Sequence, residues 1–277
     1  MIEVIDDAGR RVVLAAPAQR IVSLVPSLTE ALFAVGSGAA LIGVTRYCTE
    51  PADAVQHIER VGGTKNPDCA RICSLEPDLV VINAEENRRE DFETLEREGV
   101  AVFVTFSHRV RDVVGLLERL GVLTGCVAAA QQLGQQVQQA LDEINEHPAT
   151  RRRVFCPIWK NPWMSFNHET YADDMLSLAG GDNVCRTQSA RYCTIELSDI
   201  AAADPEVIML PDEPYVFAAK DLPALAPLRN TSAYKSGRIH FIDGKALSWY
   251  GPRTAAALRY MRAIVTAESA GQQPETL

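Results

Sequence analysis

Two segments of similar sequence decide the fold: LEPDLVVINAEE at residues 75–86 and ADPEVIMLPDEP at residues 203–214. In each, a proline beside an acidic residue precedes an unbroken apolar run, and a pair of acidic residues follows it. A short apolar run bounded by turn residues is typical of a strand buried on both faces, as in a parallel sheet covered by helices. The repetition predicts one such strand in each half of the chain.

Alternating strands and helices extend outward from both segments. In the first half, strands are predicted at residues 20–25, 41–44, 77–83 and 100–106, and helices at residues 27–36, 67–75 and 87–99. In the second half, strands are predicted at residues 152–159, 204–214 and 238–243, and helices at residues 170–181 and 196–203. Ser27 is expected to cap the first helix, with Glu30 at the capping-box position. The repeated order predicts an α/β protein with two similar parallel-sheet lobes.

A single long helix is predicted between the two halves, at residues 127–148, because this segment is rich in Ala, Gln and Leu and has no internal proline. At 1.5 Å per residue it would span roughly 33 Å, about the diameter of a small domain. The predicted domains are therefore an N-terminal α/β lobe at 1–107, a helical connection at 108–150 and a C-terminal α/β lobe at 151–277. Two lobes on one stiff helix predict a ligand cleft between them and little hinge closure.

Composition excludes several classes of protein. The net charge of −9 leaves no basic surplus to neutralise nucleic-acid phosphates, and no apolar run is long enough to span a membrane. The first twenty residues mix acids and bases, unlike a signal peptide. The seven cysteines are odd in number and scattered, which favours reduced thiols. These features predict a monomer in the cytoplasm, or in the periplasm if a signal peptide had been removed.

Enzymatic motifs are mostly absent: the chain has no phosphate loop, nucleophile elbow or HExxH sequence. The histidines lie far apart in the chain, which favours isolated surface residues over a shared site for His108 and His168. The acidic pairs that follow the two apolar runs are interpreted as solvated loop carboxylates. A metal site or enzyme using Cys48, Cys193 and a nearby histidine is a third hypothesis, and no intrinsic cofactor is expected.

Large aromatic residues recur in loops after the predicted strands, although aromatics make up only 6 % of the chain. In parallel α/β sheets these loops carry the ligand site. Trp159, nearest its strand, is expected to pack against its own lobe. The others are predicted to form a shared wall for a large, flat, partly apolar ligand, because each ring buries about 150–250 Å²; they are Tyr47, Trp163, Tyr192, Trp249 and Tyr250.

The arrangement resembles the helical-backbone substrate-binding proteins of cobalamin and iron-siderophore uptake, most closely the cobalamin-binding branch. The resemblance covers nearly the whole chain. The segments that carry it are RIVSLVPSLTEALFAVG (20–36), GVTRYCTEP (43–51), VGGTKNP (61–67), RICSLEPDLVV (71–81), LAGGDNV (178–184), DPEVIML (204–210) and GPR (251–253).

The resemblance implies a non-catalytic protein that holds cobalamin or a related corrinoid, possible cargo of an ABC importer. Tyr47 matches a ligand-contacting tyrosine of the cobalamin binders, and Tyr192 matches a position that can be tryptophan. Trp163 and Met164 fall in their second-lobe apolar wall. The segment Lys245–Trp249, which includes Ser248, matches their ligand-contacting loop after the last strand. The alternative ligand is a ferric siderophore or haem, which the arginines beside the aromatics would favour; these are Arg46, Arg191 and Arg253.

One expected feature of transporter-coupled members is missing. Those proteins carry a surface glutamate on each lobe that docks onto arginines of the membrane permease. The matching positions here hold Ala70 and Ser198. Glu76, Glu196 and Asp199 are the nearby carboxylates that could substitute for them.

Overall fold

The computed structural model describes residues 1–268, which separate into two compact units. Unit 1 comprises residues 1–107, 111–138 and 250–252. Unit 2 comprises residues 108–110, 139–249 and those from Arg253 onward. None of the helices among the described residues is long and apolar enough to cross a membrane.

Unit 1 is built on a five-stranded parallel sheet. The strands of the unit are β1 Ile2–Ile5, β2 Arg11–Leu14, β3 Ile21–Ser23, β4 Leu41–Val44, β5 Glu59–Arg60, β6 Leu79–Asn83 and β7 Val102–Thr105. The parallel sheet has the order β5-β4-β3-β6-β7, while β1 and β2 form a separate antiparallel pair. The helices are α1 Pro26–Ala34, α2 Ala52–Val55, α3 Cys69–Ser74, α4 Arg89–Arg97 and α5 Asp112–Thr124. Strands β3, β6 and β7 are buried along their whole length, as their apolar sequences require.

The long helix α6, Val127–Glu146, contributes its first residues to unit 1 and its last residues to unit 2. The strands of unit 2 are β8 Arg152–Phe155, β9 Met164–Phe166, β10 Gly181–Asn183, β11 Tyr192–Thr194, β12 Val207–Pro211 and β13 Ile239–Ile242. Its helices are α7 Tyr171–Leu178, α8 Leu197–Ala203, α9 Ser232–Lys235, α10 Lys245–Ser248 and α11 Thr254–Thr266, with a 3-10 segment at Ala219–Leu228. The main sheet is parallel, in the order β10-β8-β12-β13, and β9 and β11 form an antiparallel pair.

The predicted α/β fold with two parallel-sheet halves is confirmed, and every strand and helix predicted from the repeated pattern is present, most of them with shortened ends. The predicted capping role of Ser27 is wrong. Helix α1 begins one residue earlier, at Pro26, with Val25 as its N-cap and no side-chain cap, because the fixed φ of proline suits the first helical position. The sequence pattern does not predict α5, the β1–β2 hairpin, the β9–β11 pair, strands β5 and β10, or the short helices α2, α9 and α10.

One buried histidine has no polar contact. His240 lies in β13 with none of its side chain exposed, and neither ring nitrogen has a hydrogen-bond partner among residues 1–268. Desolvation lowers the pKa of His240, and the charge of Arg238 lowers it further. The imidazole is therefore held neutral in the folded protein, because burial disfavours the charged form.

We predict that stability falls as the pH drops below the ordinary histidine pKa of 6.5. Above that pH both states are neutral at this site, and below it the unfolded chain binds a proton that folded His240 resists. The loss should continue until the pH reaches the lowered pKa of the folded state. Substituting His240→Leu should weaken this pH dependence and raise the free energy of unfolding by about 1–3 kcal/mol, since it removes unpaired buried nitrogens.

Urea unfolding at pH 7.5 and 5.5 measures both effects. His57→Leu is the matched control, because His57 is exposed. If the stability of His240→Leu depends on pH as strongly as that of the wild type, the pH dependence does not come from His240.

Candidate functional site

The first candidate residue, Tyr47, follows β4 at the edge where the parallel strands of unit 1 end; we call this the carboxyl edge. Its side chain is 53 % exposed. The Arg46 guanidinium lies 5.2 Å from the centroid of its ring, and Arg46 Nη2 donates to Asn66 Oδ1 at 3.3 Å. A Cβ at Gly63 would lie 2.6 Å from Asn66 Oδ1 and 2.9 Å from Arg46 Nη2, so a larger residue there would displace both side chains. The Tyr47 ring is therefore supported by Arg46 and still accessible.

Tyr250 also belongs to unit 1, but its side chain is buried. Its hydroxyl accepts a hydrogen bond from Asn83 Nδ2 and lies 3.4 Å from Thr105 Oγ1. Asn83 and Thr105 are the last residues of β6 and β7, so Tyr250 packs on the carboxyl edge of the sheet. Burial raises the pKa of its hydroxyl, which stays protonated. This contact holds the segment 250–252 on the sheet within unit 1.

In unit 2, Glu213 organises the loops that follow β12 and β13. Glu213 Oε1 accepts from Ser248 Oγ at 3.1 Å, and the carboxylate also accepts from the Trp249 indole N–H. Desolvation raises the pKa of Glu213, while these two hydrogen bonds and the charge of Lys245 lower it. Ser248 is exposed, whereas Trp249 is buried. Glu213 thus fixes the indole and leaves Ser248 at the surface.

Two cations flank the Trp249 ring. Lys245 Nζ lies 4.9 Å from the ring centroid, and the Arg253 guanidinium carbon lies 5.5 Å from it. Both distances are within the range of cation–π attraction. The indole is therefore held by side chains from α10 and from the start of α11.

Trp163 and Met164 form a half-buried apolar surface at the start of β9. The Trp163 ring stacks on Phe217 with centroids 5.9 Å apart and planes 8° from parallel, and it packs against the hydrophobic core of unit 2. Trp159 contacts Tyr215 edge-on at 5.7 Å. This is packing within its own unit, as predicted, although 42 % of Trp159 is exposed.

Tyr192 opens β11 and pairs with Phe166 of β9. Its side chain is 47 % exposed. The β9–β11 pair therefore carries three candidate residues on one small antiparallel ribbon: Trp163 just before it, Met164 at its start and Tyr192 on the partner strand.

Comparison with known proteins assigns this architecture to a family. The sequence profile of the periplasmic binding protein family matches residues 21–246, most of the chain. The chain belongs to the periplasmic binding protein family. It is 25 % identical over 217 residues to a vitamin B12-binding protein of Vibrio campbellii, covering 76 % of this chain and 78 % of that protein.

Two solved structures have the same fold as this periplasmic binding protein. The periplasmic vitamin B12-binding protein of Vibrio cholerae matches with a TM-score of 0.80 and 22 % identity, covering 90 % of this chain and 97 % of that one. The periplasmic heme-binding protein of Roseiflexus sp. RS-1 also matches with a TM-score of 0.80 and 22 % identity, covering 91 % of this chain and 99 % of that one. At these identities the likeness establishes the fold.

The family assignment confirms the predicted resemblance and the prediction that this periplasmic binding protein is a solute-binding component and not an enzyme. Within residues 1–268, no three metal-ligating side chains lie close enough together to hold a metal ion. Cys48 is buried between the hydroxyls of Thr29 and Thr45, 3.1 and 3.2 Å from its sulfur. Burial raises the pKa of its thiol, and a protonated thiol is a poor nucleophile and metal ligand.

The cytoplasmic location predicted for this periplasmic binding protein is not supported, because the family and the structures it matches are periplasmic. The prediction rested partly on scattered cysteines. Burial offers a different reason for their being unpaired: Cys48, Cys156, Cys185 and Cys193 are all buried among the described residues.

Sequence reasoning missed two residues that hold the candidate site in this periplasmic binding protein. Asn83 and Glu213 end or follow the two apolar strands from which the fold was derived. Their position at the carboxyl end of a parallel strand is the feature of the sequence that indicates a role in the site. Glu213 was read as a solvated carboxylate, yet it is half-buried and hydrogen-bonded.

We predict that Gly244→Ala disrupts the loop that carries Trp249. A Cβ at Gly244 would lie 2.7 Å from the Glu213 carbonyl oxygen, so the two loops must separate. We expect a loss of about 1–3 kcal/mol in the free energy of unfolding and a shift of the tryptophan emission spectrum. Gly115→Ala is the control: it lies in α5 with nothing within 4 Å of the added methyl, and it should stabilise by about 0.5–1 kcal/mol. Equal effects of the two changes would contradict the prediction.

Proposed function

We propose that this protein binds a large metal chelate of the cobalamin type without chemical change and delivers it to an ABC importer. The family is one of solute-binding proteins, and curated relatives in several species are vitamin B12-binding proteins. Haem or a ferric siderophore is the second candidate, since heme-binding structures share the fold to the same degree.

The observation that carries the proposal is the exposure of Tyr47 and Tyr192. Each is about half exposed and follows or begins a strand: Tyr47 at the carboxyl edge of unit 1, Tyr192 on the β9–β11 ribbon of unit 2. Aromatic rings left accessible at such positions offer a flat apolar surface that burial against a ligand would stabilise. A corrin or porphyrin ring has matching faces.

Within unit 2, half-buried residues extend the aromatic surface at Tyr192. Trp163 is stacked on Phe217 and so presents a fixed ring, and Met164 adds a polarisable side chain that adapts to irregular ligands. We propose that Ser248 hydrogen-bonds the polar rim of the chelate. Trp249 and Tyr250, both buried, support this surface by holding the loop after α10 in place.

The proposed partner is the permease of an ABC importer, and the proposed location is the periplasm. Ala70 in α3 and Ser198 in α8 are exposed and uncharged where coupled relatives have glutamates. Glu76 and Asp199 are exposed carboxylates close to these positions in the chain, and we propose them as the docking residues.

Titration with cyanocobalamin, followed by tryptophan fluorescence and calorimetry, tests the proposed function, with haem and a panel of ferric siderophores as parallel arms. Because Tyr47 and Tyr192 contribute ring contacts, Tyr47→Ala and Tyr192→Ala should each cost about 1–2 kcal/mol of binding, or roughly 5- to 30-fold in Kd. Their thermal stability should stay close to that of the wild type, since both side chains are exposed.

Tyr234→Ala is the matched control. Tyr234 is 36 % exposed and lies in α9, which precedes β13 and so stands at the opposite edge of the unit 2 sheet. It should bind like the wild type. Saturable binding of haem or a siderophore but not of cyanocobalamin would show that the second candidate, and not cobalamin, is the ligand. If no chelate binds, the proposed function is refuted.

A further inference from the structure

Unit 2 contains an open pocket of about 390 Å³ whose lining is unusually rich in cationic and imidazole groups. Among its five lining residues, Glu169 is the one carboxylate. The lining residues are His108, Arg109, His168, Glu169 and Arg191. His108 and His168, predicted from the sequence to be isolated, are brought to the same pocket.

Backbone pairing places these residues together. The β9–β11 ladder pairs Phe166 with Tyr192 and is continued by Asn167 N–H, which donates to the Arg191 carbonyl at 2.9 Å. His168 and Glu169 therefore follow directly beside Arg191. The side chain of Asn167 donates to the Gln188 carbonyl at 2.9 Å, which fixes the loop that leads into Arg191.

Both histidine rings are oriented by backbone carbonyls. His168 Nδ1 lies 3.0 Å from the Arg186 carbonyl oxygen, and His108 Nδ1 lies 3.3 Å from that of Glu169. A carbonyl can only accept, so each Nδ1 carries the hydrogen. Each ring is thereby held in one orientation by a neighbouring strand or loop.

The charge of the pocket is positive although the protein carries a net charge of −9. Among the lining residues, the guanidinium groups of Arg109 and Arg191 outnumber the single carboxylate, Glu169. Guanidinium groups bind carboxylates and phosphates through paired hydrogen bonds. An open pocket with two arginines therefore has the chemistry of an oxyanion site.

We propose that this pocket binds an acidic group of the ligand, a carboxylate or a phosphodiester, while the exposed aromatics contact its ring. The inference rests on the proposed function, because Arg191 continues the β9–β11 ribbon that carries Tyr192. It narrows the ligand class to chelates that carry an oxyanion at their periphery. Cobalamin meets the requirement through its phosphodiester, and haem through its two propionates; cobinamide, which lacks the phosphodiester, does not.

Two ligand pairs test the inference. Haem and haem dimethyl ester differ only in the two acidic groups, whereas cobinamide lacks the phosphodiester of cobalamin together with the nucleotide attached to it. The protein variants are Arg109→Gln, Arg191→Gln and the double variant, with Arg191→Lys to retain the charge. Arg229→Gln is the control, since Arg229 is exposed and lies just after the 3-10 segment, away from the pocket lining. Kd is measured by calorimetry at low and high salt, and folding is checked by circular dichroism.

For the acid-bearing member of a pair, each Arg→Gln change should weaken binding about tenfold. The weakening should be smaller at high salt, where screening reduces the contribution of exposed charges in the wild type. The wild type and all variants should bind the ester, and likewise cobinamide, with the same Kd. Arg191→Lys should keep part of the affinity that Arg191→Gln loses. The pair that responds identifies the source, phosphodiester or carboxylate.

The inference is overturned if the wild type and the double variant bind the acid-bearing member with equal affinity. It is also overturned if the double variant loses the same affinity for both members of a pair. Neither result contradicts the proposed function. Failure of the wild type to bind any of the four compounds or any ferric siderophore of the panel would refute the proposed function itself. Arg191→Lys keeps the test decisive if Arg191→Gln fails to fold.

Discussion

The structure depends on one constraint: in a parallel sheet every strand ends at the same edge. Asn83 and Thr105 are 22 positions apart in the chain, yet they end neighbouring strands and together contact the Tyr250 hydroxyl. In unit 2 the same constraint brings Glu213, after β12, to Ser248 beyond β13. Parallel pairing brings loops that are distant in the sequence to the carboxyl edge of the sheet. Polar residues from different loops therefore form a hydrogen-bonded network at that edge.

The networks at the two edges differ in what they leave accessible. Glu213 is partly desolvated, which raises its pKa, and the hydrogen bonds from Ser248 and Trp249 compensate by stabilising the carboxylate. Because the indole N–H is used in this way, Trp249 serves as a buried support. Among residues 1–268 no comparable hydrogen bond holds the Tyr47 ring; it lies against the Arg46 guanidinium and is half exposed. The proposed ligand surface is therefore made of aromatics that the polar networks do not bury.

The sequence predicts the strands of the two parallel sheets because unbroken apolar runs have few alternatives once they must be covered on both faces. It does not predict the β9–β11 ribbon, whose strands have three residues each and no period to detect. Nor does the sequence show which of the aromatic side chains are exposed. Trp249 and Tyr47 occupy similar loop positions, and only long-range contacts, such as Glu213 to Trp249, decide that one is buried and the other is not. The meeting of His108 with His168 likewise depends on hydrogen bonds between distant segments.

Burial also reconciles four of the seven cysteines with a family of periplasmic proteins. An oxidising compartment favours disulfides only where thiolates can form and approach an oxidant. Cys156 has none of its side chain exposed, and desolvation raises its pKa; burial raises the pKa of Cys185 to about 11. These thiols behave as small apolar core residues of unit 2. Counting cysteines along the chain treats all of them as equally reactive, whereas the fold removes the buried ones from redox chemistry, so their number carries little information about the compartment.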